Sequence, residues 1–328
     1  MNAQNLSFSR ALVTGGAGFI GSHLVDALME KGLEVTVIDN LSSGRLSNIS
    51  PWLKNPRLKL IMGDMLNSDD VRRALEGCDI AFHLAANPDV KVGAFNTRID
   101  YEQNILATRI LLETIKESKT CMSIIFTSTS TVYGEAKKMP TPEDYGPLKP
   151  ISLYGASKLA CEALISGYSH LFGFRGVICR LANIVGSRSG HGVIYDFIMK
   201  LRGNPRRLEV LGDGTQRKSY LHVKDCVEAI LLAAERTVEQ VEVYNVGSED
   251  TVSVSAIANI IIEEMGLKDV EVIYTGGVEG GRGWKGDVKE MLLDISKIKR
   301  LGWKPRLNSA EAVRQAAREI ISEITGCQ

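Results

Sequence analysis

The sequence predicts an α/β protein with a doubly wound parallel sheet and a smaller C-terminal α/β lobe. Through its first half the chain of 328 residues alternates short apolar strands with helical segments, which is the pattern of a parallel sheet. After residue 182 this alternation loosens, although residues 243–246 again read as a buried strand. We therefore expect a first domain over residues 1–182, a lobe over residues 183–328, and a return of segments near 215–247 to the first domain.

The stretch over residues 11–40 carries the strongest single pattern. Its first strand ends in Gly15, Gly18 and Gly21 at GxxGxxG spacing, a helix follows, and the second strand stops at Asp39. Glycines let the backbone approach a pyrophosphate, whose charge suits the N–H groups at a helix start. An acid after the second strand can accept hydrogen bonds from both adenosine ribose hydroxyls. This predicts a Rossmann-type dinucleotide site, because a glycine turn that only packs a helix on a strand needs no such acid.

The remaining elements follow from hydrophobic periodicity. In the first domain we expect strands at Leu58–Met62, Ile80–Leu84, Ser123–Phe126 and Gly176–Leu181, with helices at Ser68–Leu75, Phe95–Lys119 and Ser152–Phe172. Later we expect helices at Val193–Leu201, Ile295–Leu301 and Ala310–Ile324, strands at Leu208–Val210 and Val243–Val246, and a glycine-rich loop at Gly276–Gly286.

Three positions near the predicted dinucleotide invite a specific interpretation. The loop after Asp39 contains Ser43 and Gly44 and lies beside the expected ribose. Asp64 follows the third strand, where its carboxylate could accept from the adenine amino group or cap the next helix, and both interpretations stay open. Asn104 lies within the apolar face of the Phe95–Lys119 helix, so it needs a buried polar partner.

Two further strand ends carry small or hydroxylated residues. The fourth strand runs into residues 84–87 (LAAN), where small side chains would let a cofactor pass close to the strand end. The fifth strand is followed by five consecutive hydroxyl residues at 127–131 (TSTST). Open parallel sheets bind ligands at this edge, so we expect the hydroxyls to contact substrate rather than to form only a polar turn.

Tyr154 and Lys158 lie four residues apart at the start of a predicted helix, and hence on one face. A nearby ammonium and an oxidised nicotinamide would both favour the phenolate and lower the tyrosine pKa from its usual value near 10. Such a phenolate can take a proton from a sugar hydroxyl while hydride leaves the same carbon. Thr129 would share and orient that hydroxyl, and Lys158 would also reach the nicotinamide ribose.

Composition narrows the remaining classes of function. Lys plus Arg and Asp plus Glu balance at 39 each, which indicates neither a nucleic-acid nor a membrane surface. The six cysteines form no CxxC pair and mostly lie in apolar runs, so we expect reduced thiols in a cytoplasmic protein. The five histidines show no metal-ligand spacing, and we expect no metal. No apolar run reaches membrane-spanning length, and residues 1–9 are expected to be a loose polar tail.

Taken together, the motifs resemble the extended short-chain dehydrogenase/reductase family, which comprises the nucleotide-sugar epimerases and dehydratases. The likeness covers nearly the whole chain and rests on TGGAGFIGSHL, HLAAN, TSTSTVYG, YGASK, and YLHVKD followed by YNVGS. Within that family the sequence is most similar to 4-epimerases of UDP-glucose and UDP-galactose, particularly the archaeal type with the ending GRGWKGDV. The resemblance implies NAD as cofactor, a UDP-sugar substrate, and a homodimer in which the Phe95–Lys119 and Ser152–Phe172 helices pair with their copies.

The resemblance also implies a role for each matching position. For the cofactor, it places Gly15, Gly18, Phe19 and Ile20 at the pyrophosphate, Asp39, Asn40, Ser43 and Gly44 around the adenosine ribose, Asp64 and Met65 at the adenine, and Leu84, Ala85, Ala86 and Asn104 along the cofactor. The implied catalytic residues are Thr129, Tyr154 and Lys158. The implied substrate residues are Asn87, Thr129, Asn183, Val193, Arg217, Lys218, Arg282, Asp287 and Met291.

Departures from the family pattern are informative as well. Related dehydratases carry an Asp-Glu pair, and related decarboxylases a Glu, where this chain has Ser130 and Thr131, so it lacks the acids for eliminating water or losing CO₂. Either Arg217 or Lys218 would meet the diphosphate, and Arg282 would approach it from a different point. Met291 occupies the position that limits substrate size, and a flexible methionine does not decide between a hexose and an N-acetylhexosamine.

We therefore expect a UDP-hexose 4-epimerase that interconverts UDP-glucose and UDP-galactose through a transient 4-keto sugar, with NAD kept bound. Asp39 would repel a 2′-phosphate, which favours NAD over NADP. One alternative substrate is UDP-glucuronate, whose carboxylate Arg188 could meet, and another is a UDP-N-acetylhexosamine. An alternative of a different class is a non-catalytic NAD(P)-binding sensor, but such proteins usually lose the tyrosine or the lysine.

Overall fold

The computed structural model describes residues 8–326. Most of the expected N-terminal tail, as well as Cys327, lies outside the described residues. The described part confirms the α/β class, because a seven-stranded parallel sheet is flanked by helices. No helix in this part of the chain is long and apolar enough to cross a membrane.

The central sheet has the strand order β3-β2-β1-β4-β5-β6-β11. Its strands are Arg10–Thr14 (β1), Glu34–Asp39 (β2), Leu58–Met62 (β3), Ile80–His83 (β4), Ser123–Thr129 (β5), Arg175–Leu181 (β6) and Val241–Val246 (β11). The order reverses between β1 and β4, whose carboxyl ends therefore flank the crevice where such sheets bind ligands. Strand β11, from the later part of the chain, lies at the edge of this sheet next to β6.

Seven short strands form three small sheets elsewhere. They are Asn183–Val185 (β7), Arg207–Val210 (β8), Arg217–Lys218 (β9), Tyr220–His222 (β10), Val252–Ser253 (β12), Glu271–Tyr274 (β13) and Glu290–Met291 (β14). Strand β10 pairs with β7, β13 pairs with β8, and β9 lies between β12 and β14.

The α-helices alternate with the strands. They are Phe19–Glu30 (α1), Ser68–Leu75 (α2), Thr97–Asp100 (α3), Ala107–Glu117 (α4), Leu153–Phe172 (α5), Val193–Gly203 (α6), Val223–Arg236 (α7), Val254–Glu264 (α8), Ser296–Arg300 (α9) and Ser309–Gly326 (α10). A π-helical turn, Tyr101–Leu106, joins α3 to α4, and short 3₁₀ segments cover Leu46–Trp52, Val92–Ala94 and Ser130–Tyr133.

The chain divides into two compact units that are interleaved in sequence. Unit 1 comprises residues 1–132, 153–180 and 227–244, and unit 2 comprises residues 133–152, 181–226 and 245–328. Unit 1 holds most of the central sheet, with a core cluster around Leu12, Phe126 and Ile165. Unit 2 has its own core, in which α6, α8 and α10 bring together residues such as Ile198, Ile261 and Ala316.

The long helix expected over Phe95–Lys119 is wrong in detail. The structure has α3, the π-helical turn and α4 in its place. Apolar residues recur at similar spacing in both helix types, so periodicity alone does not reveal the extra residue of a π turn. The turn has a consequence for the site, because it contains Asn104.

Other expectations also need correction. Helices α7 and α8 were not predicted from the sequence, which was interpreted as irregular there. The fifth strand continues through Thr129, so three of the five hydroxyl residues belong to β5 itself. The interpretation of Asp64 as the cap of α2 is wrong, since the side chain of Asn67 accepts from the N–H groups of Asp69 and Asp70. Asp64 accepts instead from the N–H of Leu66 within the preceding turn.

A buried ion pair ties together three elements of unit 1. Glu162 on α5 is held by the Arg180 guanidinium of β6, with an Nη2 to Oε2 distance of 2.7 Å. Both side chains are almost fully buried, and the Ser128 hydroxyl of β5 donates to the same carboxylate. A buried pair adds little net stability over an apolar replacement, but its geometry is specific. The end of β5 and helix α5 are therefore held in a defined register.

Candidate functional site

The glycine loop is shaped by contacts between backbone atoms. Gly15 has φ +67° and donates its N–H to the Ile38 carbonyl at 2.9 Å. A Cβ on Gly15 would lie 2.9 Å from the Ala85 nitrogen, and one on Gly21 would lie 2.1 Å from the Gly15 oxygen. Neither position tolerates a side chain, so the backbone itself forms the floor of a cradle.

Helix α1 opens toward this cradle. Its N-cap is Gly18, which offers no side-chain cap, and its first turn, starting with Phe19 and Ile20, contains no acid. The N–H groups of a first turn have no partner within the helix and carry positive partial charge. This end of the helix is therefore suited to an anion such as a pyrophosphate.

Asp39 lies at the end of β2 and is only 8% exposed. Its Oδ2 accepts from the Ala17 N–H at 2.9 Å, and its Oδ1 accepts from the Leu41 N–H at 2.8 Å. A Cβ on Gly44 would lie 2.9 Å from both carboxylate oxygens, so the loop closes directly over the acid. A carboxylate has about four acceptor positions, and two backbone donors leave capacity for two ribose hydroxyls.

The other residues expected around the adenosine, Asn40 and Ser43 at the ribose and Asp64 and Met65 at the adenine, differ in their surroundings. The Asn40 side chain donates to the Asp64 carboxylate at 3.2 Å, so these two are brought together. Ser43 is exposed in the loop after β2. Met65 is buried and belongs to the core cluster of unit 1.

The backbone that follows β4 is held by Thr14, which is in turn hydrogen-bonded to the buried His83. Thr14 Oγ1 accepts the backbone N–H groups of Leu84 and Ala85, both at 3.1 Å. Its own proton is then directed to His83 Nδ1, at 2.8 Å. His83 therefore carries its proton on Nε2 and donates to Thr108 Oγ1 at 2.9 Å. Burial, with a further contribution from the charge of Lys158, lowers the pKa of His83 to about 3, so the ring is neutral.

This chain of hydrogen bonds continues to the π-helical turn. Thr108 donates to Cys161 Sγ at 3.2 Å, and Cys161 donates to the Asn104 carbonyl at 3.4 Å. The Asn104 side-chain oxygen accepts the backbone N–H of Asn87 at 3.0 Å. The backbone of residues 84–87 is thus held at both ends by one buried network.

Asn104 has the buried partners that its position in an apolar face requires, which confirms that expectation. Its amide donates to Ser157 Oγ at 2.8 Å, and Ser157 in turn donates to the Tyr154 carbonyl at 2.8 Å. The π-helical turn is therefore connected to the first turn of α5, where the tyrosine lies.

Lys158 follows Tyr154 by one helical turn and is 2% exposed. Its ammonium lies 4.4 Å from the centre of the Phe126 ring in β5, the strand that ends at Thr129. Within residues 8–326 it has no acidic partner at ion-pair distance, and burial lowers its pKa to about 8. A buried cation without an acid is costly unless a ligand supplies hydrogen-bond acceptors, as a ribose would.

The environment of Tyr154 in the protein alone shifts the pKa of its phenol upward. We expected Lys158 and an oxidised cofactor to lower it, but in the protein alone burial raises it, and the Asp100 carboxylate adds to the shift. No opposing contribution from Lys158 offsets this shift. Thr129, the third member of the expected catalytic set, is buried and accepts from the N–H and hydroxyl of Thr131 at 3.2 Å.

Unit 2 brings several of the expected substrate residues together. Lys218 Nζ lies 2.5 Å from Asp287 Oδ1 and 5.5 Å from the centre of the Trp284 ring. Arg282 donates from Nε to the Asp287 carbonyl at 3.0 Å, and its guanidinium pairs with Glu135. Lys218 and Arg282 therefore both contact Asp287, Lys218 at its carboxylate and Arg282 at its backbone carbonyl.

The other expected substrate residues of unit 2 lie on nearby strands or at a helix start. Met291 pairs with Lys218 in the β14–β9 register and is buried. Arg217 is the exposed neighbour, since successive strand residues point to opposite faces. Asn183 begins β7, and its amide donates to the Ser219 carbonyl at 3.1 Å. Val193 is the first residue of α6.

Four functional candidates were not identified from the sequence, namely Thr14, His83, Asp100 and Glu162. Helical spacing could have indicated two of them, because Asp100 precedes Asn104 by four residues and Glu162 follows Lys158 by four. No sequence pattern near Thr14 or His83 predicts their hydrogen bond, because the two residues meet only when β1 and β4 pair. Within the described residues, no group of three or more His, Cys, Asp or Glu side chains could hold a metal ion.

The parallel sheet, the backbone cradle at Gly15 and the buried acid at the end of β2 are features of the class of NAD-dependent enzymes. The NAD dependent epimerase/dehydratase family model matches residues 11–247, and the chain belongs to that family. This confirms the family, the fold class and NAD as cofactor.

Named relatives of the chain include several sugar-nucleotide epimerases. A Methanocaldococcus jannaschii protein provisionally named UDP-glucose 4-epimerase is 34% identical over 93% of this chain and 96% of its own. A solved UDP-galactose 4-epimerase is 44% identical with a TM-score of 0.85, covering 96% of this chain and 99% of that one. A solved UDP-N-acetylglucosamine 4-epimerase from Methanobrevibacter ruminantium is 32% identical with a TM-score of 0.85 over the same shares.

The buried histidine gives a testable contribution to stability. His83→Leu removes the partner of two buried hydroxyls, so we expect the free energy of unfolding to fall by about 1–3 kcal/mol at pH 7. Because the folded pKa is about 3 and the ordinary value is 6.5, the unfolded chain binds a proton first as the pH falls. Wild type should therefore lose stability between pH 6.5 and pH 3, by up to about 1.4 kcal/mol per pH unit.

Urea unfolding of the holoenzyme at pH 7 and pH 5 checks this contribution. The stability difference between wild type and His83→Leu should narrow toward pH 5. His170→Leu is the matched control, since His170 is exposed, and its difference should not change with pH. A gap for His83→Leu that stays constant or widens would contradict the assignment of a neutral ring.

Proposed function

We propose that the protein is a UDP-hexose 4-epimerase that interconverts UDP-glucose and UDP-galactose through a transient 4-keto sugar. The observation that carries this proposal is the pair Tyr154 and Lys158 on α5, with Lys158 packed over Phe126 of β5. The two positions after Thr129, at the end of that strand, carry no acid. A dehydratase or decarboxylase would need an acid at Ser130 or Thr131. The similarity to three 4-epimerases of UDP sugars supports the same reaction type.

The proposed cofactor-binding residues of unit 1 fit NAD, because the cradle has no side chain to obstruct a pyrophosphate and Asp39 retains acceptor capacity. Bound there, NAD supplies the hydride acceptor and donor for C4. Tyr154 takes the O4 proton as C4 becomes a ketone and returns it after the sugar has presented its other face. Thr129 orients the O4 hydroxyl, and Lys158 donates to the nicotinamide ribose.

In unit 2 we propose that Lys218 and Arg282 bind the diphosphate. Lys218 is favoured over Arg217 because it converges with Arg282 on Asp287, whereas Arg217 points to the opposite face. Asp287 would then accept from the uridine ribose. The remaining substrate contacts that we propose are Asn87, Asn183, Val193 and Met291.

We also place the enzyme in a reducing cytoplasm. The five described cysteines are free and buried. Burial raises the pKa of Cys121 and Cys179 to about 12, which keeps them as unreactive thiols. Buried cysteines of this kind act as small apolar residues of the core and do not form a disulfide framework.

A homodimer is the oligomeric state that we propose. Phe95 is 90% exposed before α3, and Leu171 is 77% exposed near the end of α5. Large exposed apolar side chains on neighbouring helical segments are typical of an interaction surface. Pairing of the α3–α4 run and α5 with their copies would cover both residues.

Sedimentation velocity tests the dimer. Wild type should sediment as a dimer, and Phe95→Glu or Leu171→Glu should shift it toward monomer, because each places a charge in the proposed interface. Val238→Glu is the matched control, since Val238 is 88% exposed and lies outside these helices. A wild-type monomer would refute the proposal.

Tyr154→Phe tests the base. We expect epimerisation to fall by about 100- to 10,000-fold, because the proton acceptor is lost, while the amount of NAD that copurifies stays unchanged. Tyr101→Phe serves as control, as Tyr101 is exposed and should retain full activity. An active Tyr154→Phe enzyme would refute the assignment, and an inactive wild type that binds NAD would favour the sensor.

The substrate is tested by incubating the holoenzyme with UDP-glucose, UDP-N-acetylglucosamine and UDP-glucuronate, following inversion at C4 by NMR. We expect the highest rate with UDP-glucose. A higher rate with the N-acetylated sugar would move the assignment to a hexosamine epimerase. Turnover of UDP-glucuronate that Arg188→Met abolishes would assign Arg188 to the carboxylate.

A further inference from the structure

Asp100, the last residue of α3, is a buried acid that the proposed reaction has not used. It is 2% exposed. Its Oδ1 accepts from the side-chain amides of Asn87 at 3.0 Å and Asn104 at 3.4 Å. Its Oδ2 is buried and has no hydrogen-bond partner within residues 8–326. One oxygen of this carboxyl group is therefore well satisfied and the other is not.

The unsatisfied oxygen is enclosed by glycine. A Cβ on Gly93 would lie 2.3 Å from Asp100 Oδ2 and 3.4 Å from the Cβ of Leu153, the residue before Tyr154. Only a glycine leaves room for the carboxyl group at this point. A buried acid that keeps an unpaired oxygen is costly, and perturbed acids of this kind concentrate at functional sites.

Asp100 acts on the site by contact and by charge. By contact, it holds the amides of Asn87 and Asn104, which join the end of β4 to the π-helical turn. By charge, it raises the pKa of Tyr154, second only to burial. The first effect concerns the backbone along the cofactor, and the second concerns the proposed base.

We propose that Asp100 is a positioning residue: it fixes the Asn87–Asn104 contact, which Ser157 connects to the Tyr154 backbone, and its negative charge acts on the proposed base. This rests on the proposed function, in which Tyr154 is the base. The carboxylate disfavours the phenolate, so a higher pH is needed before Tyr154 releases its proton to solvent and can act as the base.

The direction of the effect follows from the surrounding charges. Burial raises the pKa of Asp100, the hydrogen bond from Asn87 opposes this, and the charge of Asp89 adds to it. Above that pKa the Asp100 carboxylate carries a negative charge, which disfavours the negative charge of a Tyr154 phenolate. Further titratable or charged side chains on the segments that carry Asp100 and Tyr154 include those of Lys91, Arg98, Tyr101, Glu102, Lys158, Cys161, Glu162, Tyr168 and His170.

The test is the pH dependence of kcat/KM for Asp100→Asn, which removes the charge and keeps the shape. The acidic limb, which reports the ionisation of Tyr154, should move to lower pH by about one unit. Asp100→Ser is a second variant that removes the charge with a different shape, and its limb should move in the same direction. Asp89→Asn is the matched control, because Asp89 is exposed and does not shift the Tyr154 pKa.

A second measurement does not depend on turnover. Ultraviolet titration of tyrosinate, taken as the difference between each holoenzyme and its Tyr154→Phe counterpart, isolates the Tyr154 signal. Its midpoint should fall in Asp100→Asn and stay in place in Asp89→Asn. Thermal unfolding shows that each variant is folded.

The outcomes separate the two proposals. An active wild type whose limb and midpoint do not move in Asp100→Asn and Asp100→Ser would overturn the role of Asp100 and leave the epimerase assignment intact. An inactive wild type whose Tyr154 midpoint still falls in Asp100→Asn would refute the proposed function and support the effect of Asp100 on Tyr154. A shift in Asp89→Asn equal to that in Asp100→Asn would also overturn the inference, because any nearby acid would then suffice.

Discussion

The close approach of the loop at Gly15 to the backbone at Ala85 is the constraint on which the site depends. It exists because β1 and β4 are adjacent where the strand order reverses, so their carboxyl ends open into one crevice. Any side chain at Gly15 would push the two segments apart. Thr14 then joins the same strands from below through the N–H groups of residues 84 and 85. The glycine loop after β1 and the backbone after β4 are therefore both positioned by the pairing of these two strands.

Buried charges in unit 1 are treated in three different ways. Glu162 and Arg180 form an ion pair with each other, and this pair holds helix α5 in register with the sheet. Among the described residues Lys158 has no acid at ion-pair distance, and it lies over an aromatic ring, so it retains hydrogen-bonding capacity for a ligand. In the same part of the chain only one oxygen of Asp100 has hydrogen-bond partners. The Glu162–Arg180 pair thus has more hydrogen-bond and ion-pair partners than Lys158 and Asp100 have. This difference is expected where buried charges serve function rather than stability.

The sequence predicted the parts of the fold that depend on local pattern. The glycine spacing, the buried strands and the Tyr–Lys helix follow from periodicity and from residue types that few other structures need. Helices α7 and α8 were missed, because the strand–helix alternation that located the earlier helices is lost in this part of the chain. The apolar residues of α8, such as Ile257 and Ile261, pack in the core of unit 2. The π-helical turn was missed since its apolar spacing resembles that of an α-helix.

The site was predictable to a similar extent. Positions that touch a ligand could be named from motifs, and the need of Asn104 for a partner followed from its apolar surroundings. The partners themselves could not be named, because Thr14, His83 and Thr108 come together only through strand pairing and helix packing. The upward shift of the Tyr154 pKa in the protein alone could not be predicted either, for a related reason. Desolvation depends on the whole environment, and the sequence showed only the neighbouring lysine.

The interleaving of the two units has a consequence for how the chain folds during synthesis. Strand β11, at the edge of the central sheet, leaves the ribosome only after roughly three quarters of the chain has been made. Until then β6 remains an open edge with unpaired backbone groups, which is a hazard for aggregation. Neither unit is a contiguous fragment, since each consists of three separate segments. Vectorial folding of a finished N-terminal domain is therefore impossible here, and the nucleotide fold is completed only when much of unit 2 has already been synthesised.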